Sequence, residues 1–369
     1  MKSAFIITMH CPLNYGAILQ TYALQTHLQA LEMKVSVINY RPDYIVCDQS
    51  LMYIGDKQFK RNFVTKWAYR LFKAIPKIRR RRRFAIFAQN ELRLTPTYKT
   101  YEDILAAGLD ADYFFCGSDQ IWNVVSGAHK DPSYFLSFAP AGRKTISYAA
   151  SGNLPLANEE VKEVTFPMIN KLDCVSMRED STIASIQPFI KKAIVHVCDP
   201  VFLLTGGEWR KLYKKYSNFK PCEKYVLVYP MANGGENTME QARKCANQMN
   251  LPLYSISASQ RKDNRADKQF DVSPYDFLSL IDHAECVVTN SFHGTSFSII
   301  LQRQFWTCVA EGSNQRITSL LGKADLTNRL IVGNNKVDYI ELVDLEHALM
   351  NLYDYICLSR NFIKNCINE

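Results

Sequence analysis

Short apolar runs, several of them rich in β-branched residues, alternate along this chain with stretches whose apolar positions follow a helical period. Such runs, each followed by a turn and a helix, are typical of the buried strands of a parallel sheet. In the first half, the predicted strands are 3–9, 35–40, 113–116, 144–150, 175–177 and 194–198. In the second half, they are 225–229, 252–257, 286–289 and 305–309. The pattern therefore predicts an α/β fold with Rossmann-like topology.

The alternation pauses near residue 200, and a Gly-Gly pair follows at 206–207. A chain of 369 residues exceeds what one hydrophobic core usually supports. We predict an N-terminal α/β domain (1–200), a C-terminal α/β domain (201–340) and a helical tail (341–369). Two such domains would face a central cleft. Helical spacing also predicts helices at 17–31, 236–249 and 274–282.

Positive charge is concentrated in one segment. Residues 56–93 hold 13 Lys and Arg against two acidic residues, a local balance of +11, whereas the whole chain carries +8. This block includes Arg79–Arg83, and its pattern predicts two helices within 56–95, separated near Pro76, as an insertion in the first domain. Such a cluster binds anionic partners in some proteins and is an ordinary solvated face in others.

Composition excludes several classes of protein. The eleven Cys residues show no CxxC or Cys/His metal spacing, which favours buried free thiols in a reducing compartment over a disulfide framework. The first residues lack the pattern of a signal peptide, and no run approaches the 18 or so apolar residues of a membrane span. We therefore expect a cytoplasmic protein with no metal and no cofactor.

Polar residues follow two predicted strands of the first half. One group lies between 10 and 16 and the other between 118 and 123, where a parallel sheet places its ligand crevice. The acceptor-binding candidates in these groups are His10, Asn14, Tyr15, Gly16, Ser118, Gln120, Trp122 and Asn123. No GxGxxG is present, so a dinucleotide site is not supported. Asp119 in the second group is a candidate acid, although an Asp at this position also serves as a helix cap.

Arg178 stands at another strand end, ahead of a predicted helix. Its planar guanidinium group suits bidentate hydrogen bonding to a carboxylate or phosphate. An ion pair with Glu179 or a neighbouring acid is the equally weighted alternative.

A strand-turn-helix at 285–298 (ECVVTNSFHGTSFS) is the strongest candidate for anion binding. The first N–H groups of the helix and its positive dipole end favour a negatively charged ligand. Gly294 would allow a ligand close to the backbone, and His293 would share it. The plainer interpretation is that Ser291 and His293 cap the helix. The donor-binding candidates here are Asn290, Ser291, Phe292, His293, Gly294, Thr295 and, further on, Arg316.

Six motifs in order resemble the polysaccharide pyruvyl transferase family over roughly residues 3–330. They are HCPLNYGAILQTYALQ, FFCGSDQIWN, SYAASG, SMREDS, CDPVFLL and TNSFHGTSFSI. The resemblance implies a GT-B-like fold, phosphoenolpyruvate (PEP) as donor substrate, a hexose acceptor and a pyruvate ketal product. It also implies that Arg178 and His293 are the motif residues that contact the donor.

Specific roles follow from the chemistry of that reaction. A carboxylic acid that protonates C3 of PEP is required, and Asp119 is the candidate, while His293 would protonate the departing phosphate. The chain departs from the family pattern at Ser291, where many members have Arg. Either Asn290 and Ser291 bind the donor directly, or Arg316 or Arg303 supplies the charge.

Two other functions fit the same sequence. A GT-B glycosyltransferase that uses a nucleotide sugar shares the architecture, and a non-catalytic sugar- or phosphate-binding protein would retain it without turnover. For the transferase, we expect a polyprenyl-diphosphate-linked glycan as acceptor. The basic segment 57–83 would then bind an anionic membrane surface, and the enzyme would be peripheral at the inner face of the cell membrane. Nucleic acid is not an expected partner, since no second basic patch is present.

Overall fold

Two compact units make up the molecule. The computed structural model describes residues 1–49, 63–217, 219, 221–231, 234–256, 263–309, 315–333 and 337–368, with the backbone alone at 48 and 63–73. Unit 1 comprises Met1–Leu203 and Tyr355–Glu369, and unit 2 comprises Leu204–Asp354. The boundary between the units, after Leu203, lies close to the domain boundary predicted at residue 200. The last helix of the chain belongs to unit 1 and does not form a separate tail.

Unit 1 is built on parallel strands. They are β1 (Ser3–Ile7), β2 (Lys34–Tyr40), β3 (Leu94–Tyr98), β4 (Tyr113–Cys116), β5 (Lys144–Ser147), β6 (Val175–Met177) and β7 (Ile194–His196). The first five form one sheet in the order β3-β2-β1-β4-β5, and β6 pairs with β7. The peptide N–H of Ser147 donates to the carbonyl of Cys174 at 2.9 Å, which joins the pair to the edge of the larger sheet.

Six α-helices among the described residues of unit 1 precede β7. They are α1 (Tyr15–Ala30), α2 (Asp43–Val46), α3 (Phe63–Glu91), α4 (Tyr101–Ala106), α5 (Phe166–Lys171) and α6 (Asp180–Ile186). Twelve of the sixteen residues of α1 are buried, including polar Gln20, Thr21 and Gln25. Because most of α1 is buried, its polar side chains must form hydrogen bonds within the protein, and they can link neighbouring loops.

The prediction of two helices separated at Pro76 was wrong. α3 continues through Pro76 from Phe63 to Glu91, and residues 56–62 lie outside the described residues. Proline removes one backbone donor and costs about 3 kcal/mol in a helix interior. The C-terminal half of α3 is held by buried Phe84 and Phe87, so tertiary packing outweighs that local cost.

Strand β3, which contains Pro96, was not predicted, and its first two residues fall in the segment 56–95 that was predicted to be helical. Proline cannot donate to a sheet ladder and is confined to edges, and β3 is the edge strand of its sheet.

Unit 2 contains a six-stranded parallel sheet in the order β10-β9-β8-β11-β12-β13. Its strands are β8 (Val226–Tyr229), β9 (Leu253–Ile256), β10 (Lys268–Phe270), β11 (Cys286–Thr289), β12 (Gln304–Cys308) and β13 (Leu330–Ile331). Its helices are α7 (Gly206–Lys214), α8 (Gly235–Met249), α9 (Pro274–Asp282), α10 (Phe292–Ile300), α11 (Gln315–Lys323) and α12 (Leu345–Asn351). The last helix of the chain, α13 (Tyr353–Asn368), lies almost wholly in unit 1.

The predicted fold class is confirmed: the chain has two Rossmann-like α/β units, as in the GT-B class. The predicted strand 286–289 and the predicted helix 274–282 match β11 and α9 residue for residue. All eleven Cys residues are free thiols. Among the residues that the structure describes, no helix is long and apolar enough to cross a membrane.

Candidate functional site

Each sheet has one point where the strand order reverses direction, and open α/β sheets bind ligands at the carboxyl ends of the strands there. In unit 1 this point lies between β1 and β4, so the loops after Ile7 and Cys116 are adjacent. In unit 2 it lies between β8 and β11. Most of the candidate residues follow strands at these two points, whereas Arg178 follows β6 and Arg316 lies on α11.

The loop after β4 fixes Asp119. The carbonyl of Ser118 accepts a hydrogen bond from Thr8 Oγ1 at 2.8 Å, and its N–H donates to Gln20 Oε1 at 3.2 Å. Asp119 has a left-handed backbone, with φ of 67°, a conformation that Asp tolerates better than most residues. Its carbonyl accepts from the N–H groups of Ile121 at 2.8 Å and Ser151 at 3.0 Å. The Asp119 side chain is 16% exposed at the end of this braced turn.

Arg178 joins Asp119 to two further carboxylates. Its guanidinium is 2% exposed and pairs with Asp199 through Nη1. Its Nε lies 3.5 Å from Glu179 Oε1, and its Nη2 lies 3.7 Å from Asp119 Oδ1. Burial alone would lower the pKa of Arg178, but the three carboxylates raise it above its usual value. One buried cation therefore sits among three acids.

The acids around Arg178 are held in turn by neutral groups. Ser151 Oγ donates to Glu179 Oε1 at 2.5 Å, and Asp199 Oδ1 accepts from the N–H of Val201 at 3.1 Å. Sequence reasoning weighed Glu179 as a partner but assigned no role to Asp199, which is 1% exposed. In the sequence, Asp199 could have been found from its position directly after the predicted strand 194–198, in the CDPVFLL motif. The expected contact of Arg178 with the donor stays a prediction, but the observed network makes this guanidinium a support for Asp119.

The loop after β1 carries four candidates. Asn14 caps α1 by accepting from the N–H of Ala17 at 3.2 Å. Tyr15 and Gly16 are buried at the start of that helix. His10 is 3% exposed, with Nδ1 3.3 Å from the Thr8 carbonyl and Nε2 3.1 Å from Asn39 Oδ1. Burial lowers the pKa of His10 to about 4, so the ring is neutral at neutral pH.

The remaining candidates of unit 1 differ in accessibility. Gln120 and Asn123 are half-buried, and Asn123 Nδ2 donates to Gln120 Oε1 at 2.9 Å. The Trp122 ring is fully buried and stacks on Phe135 at 5.4 Å between centroids, while its Nε1 donates to the carbonyl of Tyr134. Trp122 therefore belongs to the hydrophobic core, and the two amides are the side chains that a ligand can reach.

In unit 2, the strand-turn-helix is assembled as the sequence suggests. Asn290 Oδ1 accepts from the N–H of Met231 at 2.7 Å, which links the carboxyl ends of β8 and β11. Ser291 is the N-cap of α10, and its Oγ accepts from the N–H of Gly294 at 3.3 Å. The capping alternative therefore describes Ser291 correctly, while His293 is the second residue of the helix.

Gly294 serves packing. A Cβ added there would lie 2.6 Å from Thr289 Oγ1, so the glycine is needed where α10 crosses β11. Thr295 is fully buried, and its Oγ1 lies 2.9 Å from Thr307 Oγ1 of β12. The side of Gly294 on which a side chain would stand thus faces a strand, and the predicted contact of its backbone with a ligand stays a prediction.

Phe292 and His293 are each 7% exposed, and their rings meet edge to face at 5.3 Å. Arg316 is half-buried on α11. The structure thus brings together two groups of predicted residues, one within each unit. Asp119, Arg178 and all the acceptor candidates belong to unit 1, and the donor candidates from Asn290 onward belong to unit 2.

Comparisons with known proteins place this geometry in context. A family model described as polysaccharide pyruvyl transferase matches residues 14–312. No curated protein matches the chain. A UDP-N-acetylglucosamine 2-epimerase from Rickettsia bellii is similar in structure, with a TM-score of 0.53, 9% identity, and coverage of 100% of this chain and 96% of that one. A protein described as a putative UDP-N-acetylglucosamine 2-epimerase from Listeria monocytogenes is also similar in structure, with a TM-score of 0.52 and 10% identity. The match covers 98% of this chain and 90% of that one. At these identities the likeness establishes the fold alone.

Proposed function

The chain belongs to the polysaccharide pyruvyl transferase family, and we propose that it transfers the pyruvyl group of PEP to a hexose. The acceptor in this proposal is a surface polysaccharide precursor attached to a polyprenyl diphosphate. The product is a pyruvate ketal, and phosphate is released. PEP is a substrate here, and no further cofactor takes part in the proposed scheme.

The proposed reaction has two stages. An acid gives a proton to C3 of PEP, which becomes a methyl carbon, while one sugar hydroxyl forms a bond to C2 and gives up its proton. The bond from C2 to the phosphate oxygen then breaks, the phosphate leaves with the electron pair, and C2 becomes oxocarbenium-like. A second hydroxyl of the same hexose adds to C2 and loses its proton, which closes the ketal. Of the two protons that the hydroxyls release, one replaces the proton given to C3 and the other accompanies the phosphate, so the overall reaction balances. Protonation of C3 needs a positioned acid, and the leaving phosphate needs hydrogen-bond donors.

Asp119 is the proposed acid. The observation that carries this assignment is that Asp119 is the partly exposed member of a network whose other members are buried. Arg178 is a positioning residue in this scheme, because its guanidinium lies 3.7 Å from the Asp119 carboxylate and is itself held by Asp199. His293 and the N-terminus of α10 are the proposed contacts for the phosphate and carboxylate of PEP, with Asn290 and Arg316.

Two measurements test the proposal. In the first, the protein is incubated with PEP and lipid-linked glycan intermediates, and mass spectrometry looks for the mass that a ketal adds. In the second, the melting temperature is followed with PEP, UDP or CMP. We expect a shift with PEP and the new mass. A shift with a nucleotide and not with PEP would instead favour a nucleotide-sugar glycosyltransferase, and binding of PEP without turnover would favour a non-catalytic protein.

The proposal extends to a membrane surface. Segment 57–83 carries the basic run, and lysine and arginine near anionic lipids contribute about 1 kcal/mol each within a Debye length. We expect salt-sensitive sedimentation with anionic vesicles, reduced by replacing Arg79, Arg81 and Arg82 with Gln. Arg80 is left in place, because it holds a backbone carbonyl. Equal, negligible sedimentation with anionic and neutral vesicles would reject membrane binding.

A further inference from the structure

A cavity of about 340 Å³ lies within unit 1, beside the carboxyl end of β1. Loop residues 10–13 form one wall, and the C-terminal half of α3 forms another. The cavity therefore has room for more than a single phosphate group.

Three arginines line this cavity: Arg41 after β2, and Arg81 and Arg82 on α3. None of the described residues that line it is acidic. Across the described part of the chain, none of these three arginines forms an ion pair with a carboxylate. Since like charges repel, three cations around one volume favour a ligand with more than one negative charge.

The arginines of the run Arg79–Arg83 on α3 differ in their contacts. Arg80 Nη2 donates to the carbonyl of Leu13 at 2.9 Å, and its guanidinium lies 5.3 Å from the Tyr15 ring and 5.4 Å from the Phe84 ring. It therefore ties α3 to the loop after β1. Arg79 is exposed and does not line the cavity. Only Arg81 and Arg82 of the run lie in the cavity wall.

The other walls are apolar or neutral. Ile18, Ile78 and Phe84 contribute apolar surface, and His10 is held neutral by its burial. Guanidinium groups beside apolar surface suit a phosphorylated group joined to a hydrophobic chain. The loop that carries His10 is joined to the Asp119 turn through Thr8, whose Oγ1 donates to the carbonyl of Ser118. The loop that lines the cavity is therefore tied by one hydrogen bond to the turn that carries the proposed acid.

We propose that this cavity binds the diphosphate through which the acceptor glycan is attached to its lipid, with Arg41, Arg81 and Arg82 as ligands. The assignment to the acceptor rests on the proposed function, whereas recognition of diphosphate rests on the cavity alone. The diphosphate anchors the acceptor at this position, and the attached sugar extends toward Asp119.

The test measures binding by calorimetry with the full-length protein and three probes: inorganic pyrophosphate, UDP and geranyl diphosphate. The double variant Arg81→Gln/Arg82→Gln removes two charges from the cavity wall. The matched control Arg79→Gln/Arg93→Gln removes two exposed charges outside it. All four side chains are exposed, so circular dichroism is expected to show unchanged folding.

We expect pyrophosphate to bind the wild type, to bind the cavity variant at least about tenfold more weakly, and to bind the control within about twofold. We also expect geranyl diphosphate to bind more tightly than UDP. No binding by the wild type, or equal weakening in both variants, would overturn the diphosphate site. Tighter binding of UDP would overturn the assignment to a lipid-linked acceptor.

Turnover separates this inference from the proposed function. If pyruvyl transfer is absent but the cavity variant loses pyrophosphate binding, the function fails and the diphosphate site stands. If transfer occurs and the cavity variant keeps the KM of the wild type for the lipid-linked acceptor, the function stands and the role of the cavity is overturned. The expected result is a raised acceptor KM with an unchanged melting-temperature shift by PEP.

Discussion

At the scale of single residues, the orientation of Asp119 depends on groups distant in sequence. Arg178 lies beside its carboxylate, and Gln20 and Thr8 hold the preceding Ser118. Gln20 is fully buried on α1, so its amide has no water to replace these bonds. The acid is thus positioned by a preformed polar network, which is the arrangement that catalytic groups require.

The first prediction concerns the proton that Asp119 is proposed to deliver. Asp119→Asn keeps the size and the hydrogen bonding of the side chain but cannot deliver a proton. We expect kcat to fall by about 10² or more, while the affinity for PEP is nearly kept. Steady-state kinetics with varied PEP, together with PEP binding in the absence of acceptor, measure the two effects. A kcat close to that of the wild type would move the acid to another residue, with His293 next to be tested.

The second prediction concerns His10. Its pKa is lowered to about 4 by burial, against 6.5 in the unfolded chain, so protonation favours the unfolded state. Stability is therefore lost as pH falls from about 6.5 through 4, and His10 contributes about 2 to 3 kcal/mol of the loss between pH 7 and 4.5. Urea unfolding at the two pH values measures it.

The control for His10 is His10→Asn, which does not titrate in this range. Its stability is expected to fall less between pH 7 and 4.5 than that of the wild type, by about the same 2 to 3 kcal/mol. An equal fall in both proteins would mean that His10 is not protonated on unfolding.

At the scale of elements, the strand-to-helix turns after β1 and β11 have different structural roles. The turn after β1 leads into the deeply buried α1 and is secured by Asn14 and by Arg80 of α3. After the turn that follows β11, α10 packs so close to the strand that there is no room for a side chain at Gly294. Close helix-strand packing is a known use of glycine at such turns, so Gly294 is explained without contact to a ligand.

The third prediction tests this role of Gly294. Gly294→Ala places a Cβ 2.6 Å from Thr289 Oγ1, and we expect a loss of stability of about 1 to 3 kcal/mol. The matched control is Gly322→Ala in α11, where an added Cβ meets nothing within 4 Å. That change is expected to be neutral or to stabilise by about 0.5 to 1 kcal/mol. Chemical denaturation compares the two, and equal stabilities would show that the α10 contact relaxes freely.

At the scale of the whole molecule, unit 1 is completed by the end of the chain. Ser359 Oγ accepts from the N–H of Cys198 at 2.8 Å, and the carbonyl of Ile367 accepts from Tyr113 Oη at 2.7 Å and from Lys2 Nζ at 2.5 Å. Lys2 precedes β1, and Tyr113 begins β4. α13 therefore braces the amino ends of the two strands whose carboxyl ends carry the candidate site.

The fourth prediction concerns removal of residues 355–369. Ile363 and Ile367 are buried, and each contributes about 1.5 to 3 kcal/mol by burial. We expect faster amide hydrogen exchange in β1 and β4, with β8 and β11 of unit 2 unchanged. Exchange followed by mass spectrometry resolves the two sheets. Unchanged protection of β1 and β4, or an equal increase in both sheets, would contradict the role of α13.

Local patterns predicted much of the fold. Continuous apolar runs such as Cys286–Thr289 are visible in the sequence because a strand buried on both faces needs apolar side chains at every position. The position of Asp119 after a strand was equally readable, since parallel sheets place their ligand sites at strand ends. The predicted break at Pro76 was wrong, because tertiary packing outweighs the poor helix propensity of proline. Strand β3 tolerates Pro96 because it lies at the edge of its sheet.

The amino-acid sequence by itself determined the α/β class, the two-part organisation and the strand ends that carry chemistry, because these follow from periodicity and residue type over short stretches. Only the tertiary structure decided which charges meet. Arg178 pairs with Asp199, 21 residues away, and Arg41 shares a cavity with Arg81 and Arg82, some 40 residues away. Strand order and helix packing bring such groups together, and their partners are set by the fold of the whole unit and not by the spacing of the residues along the chain.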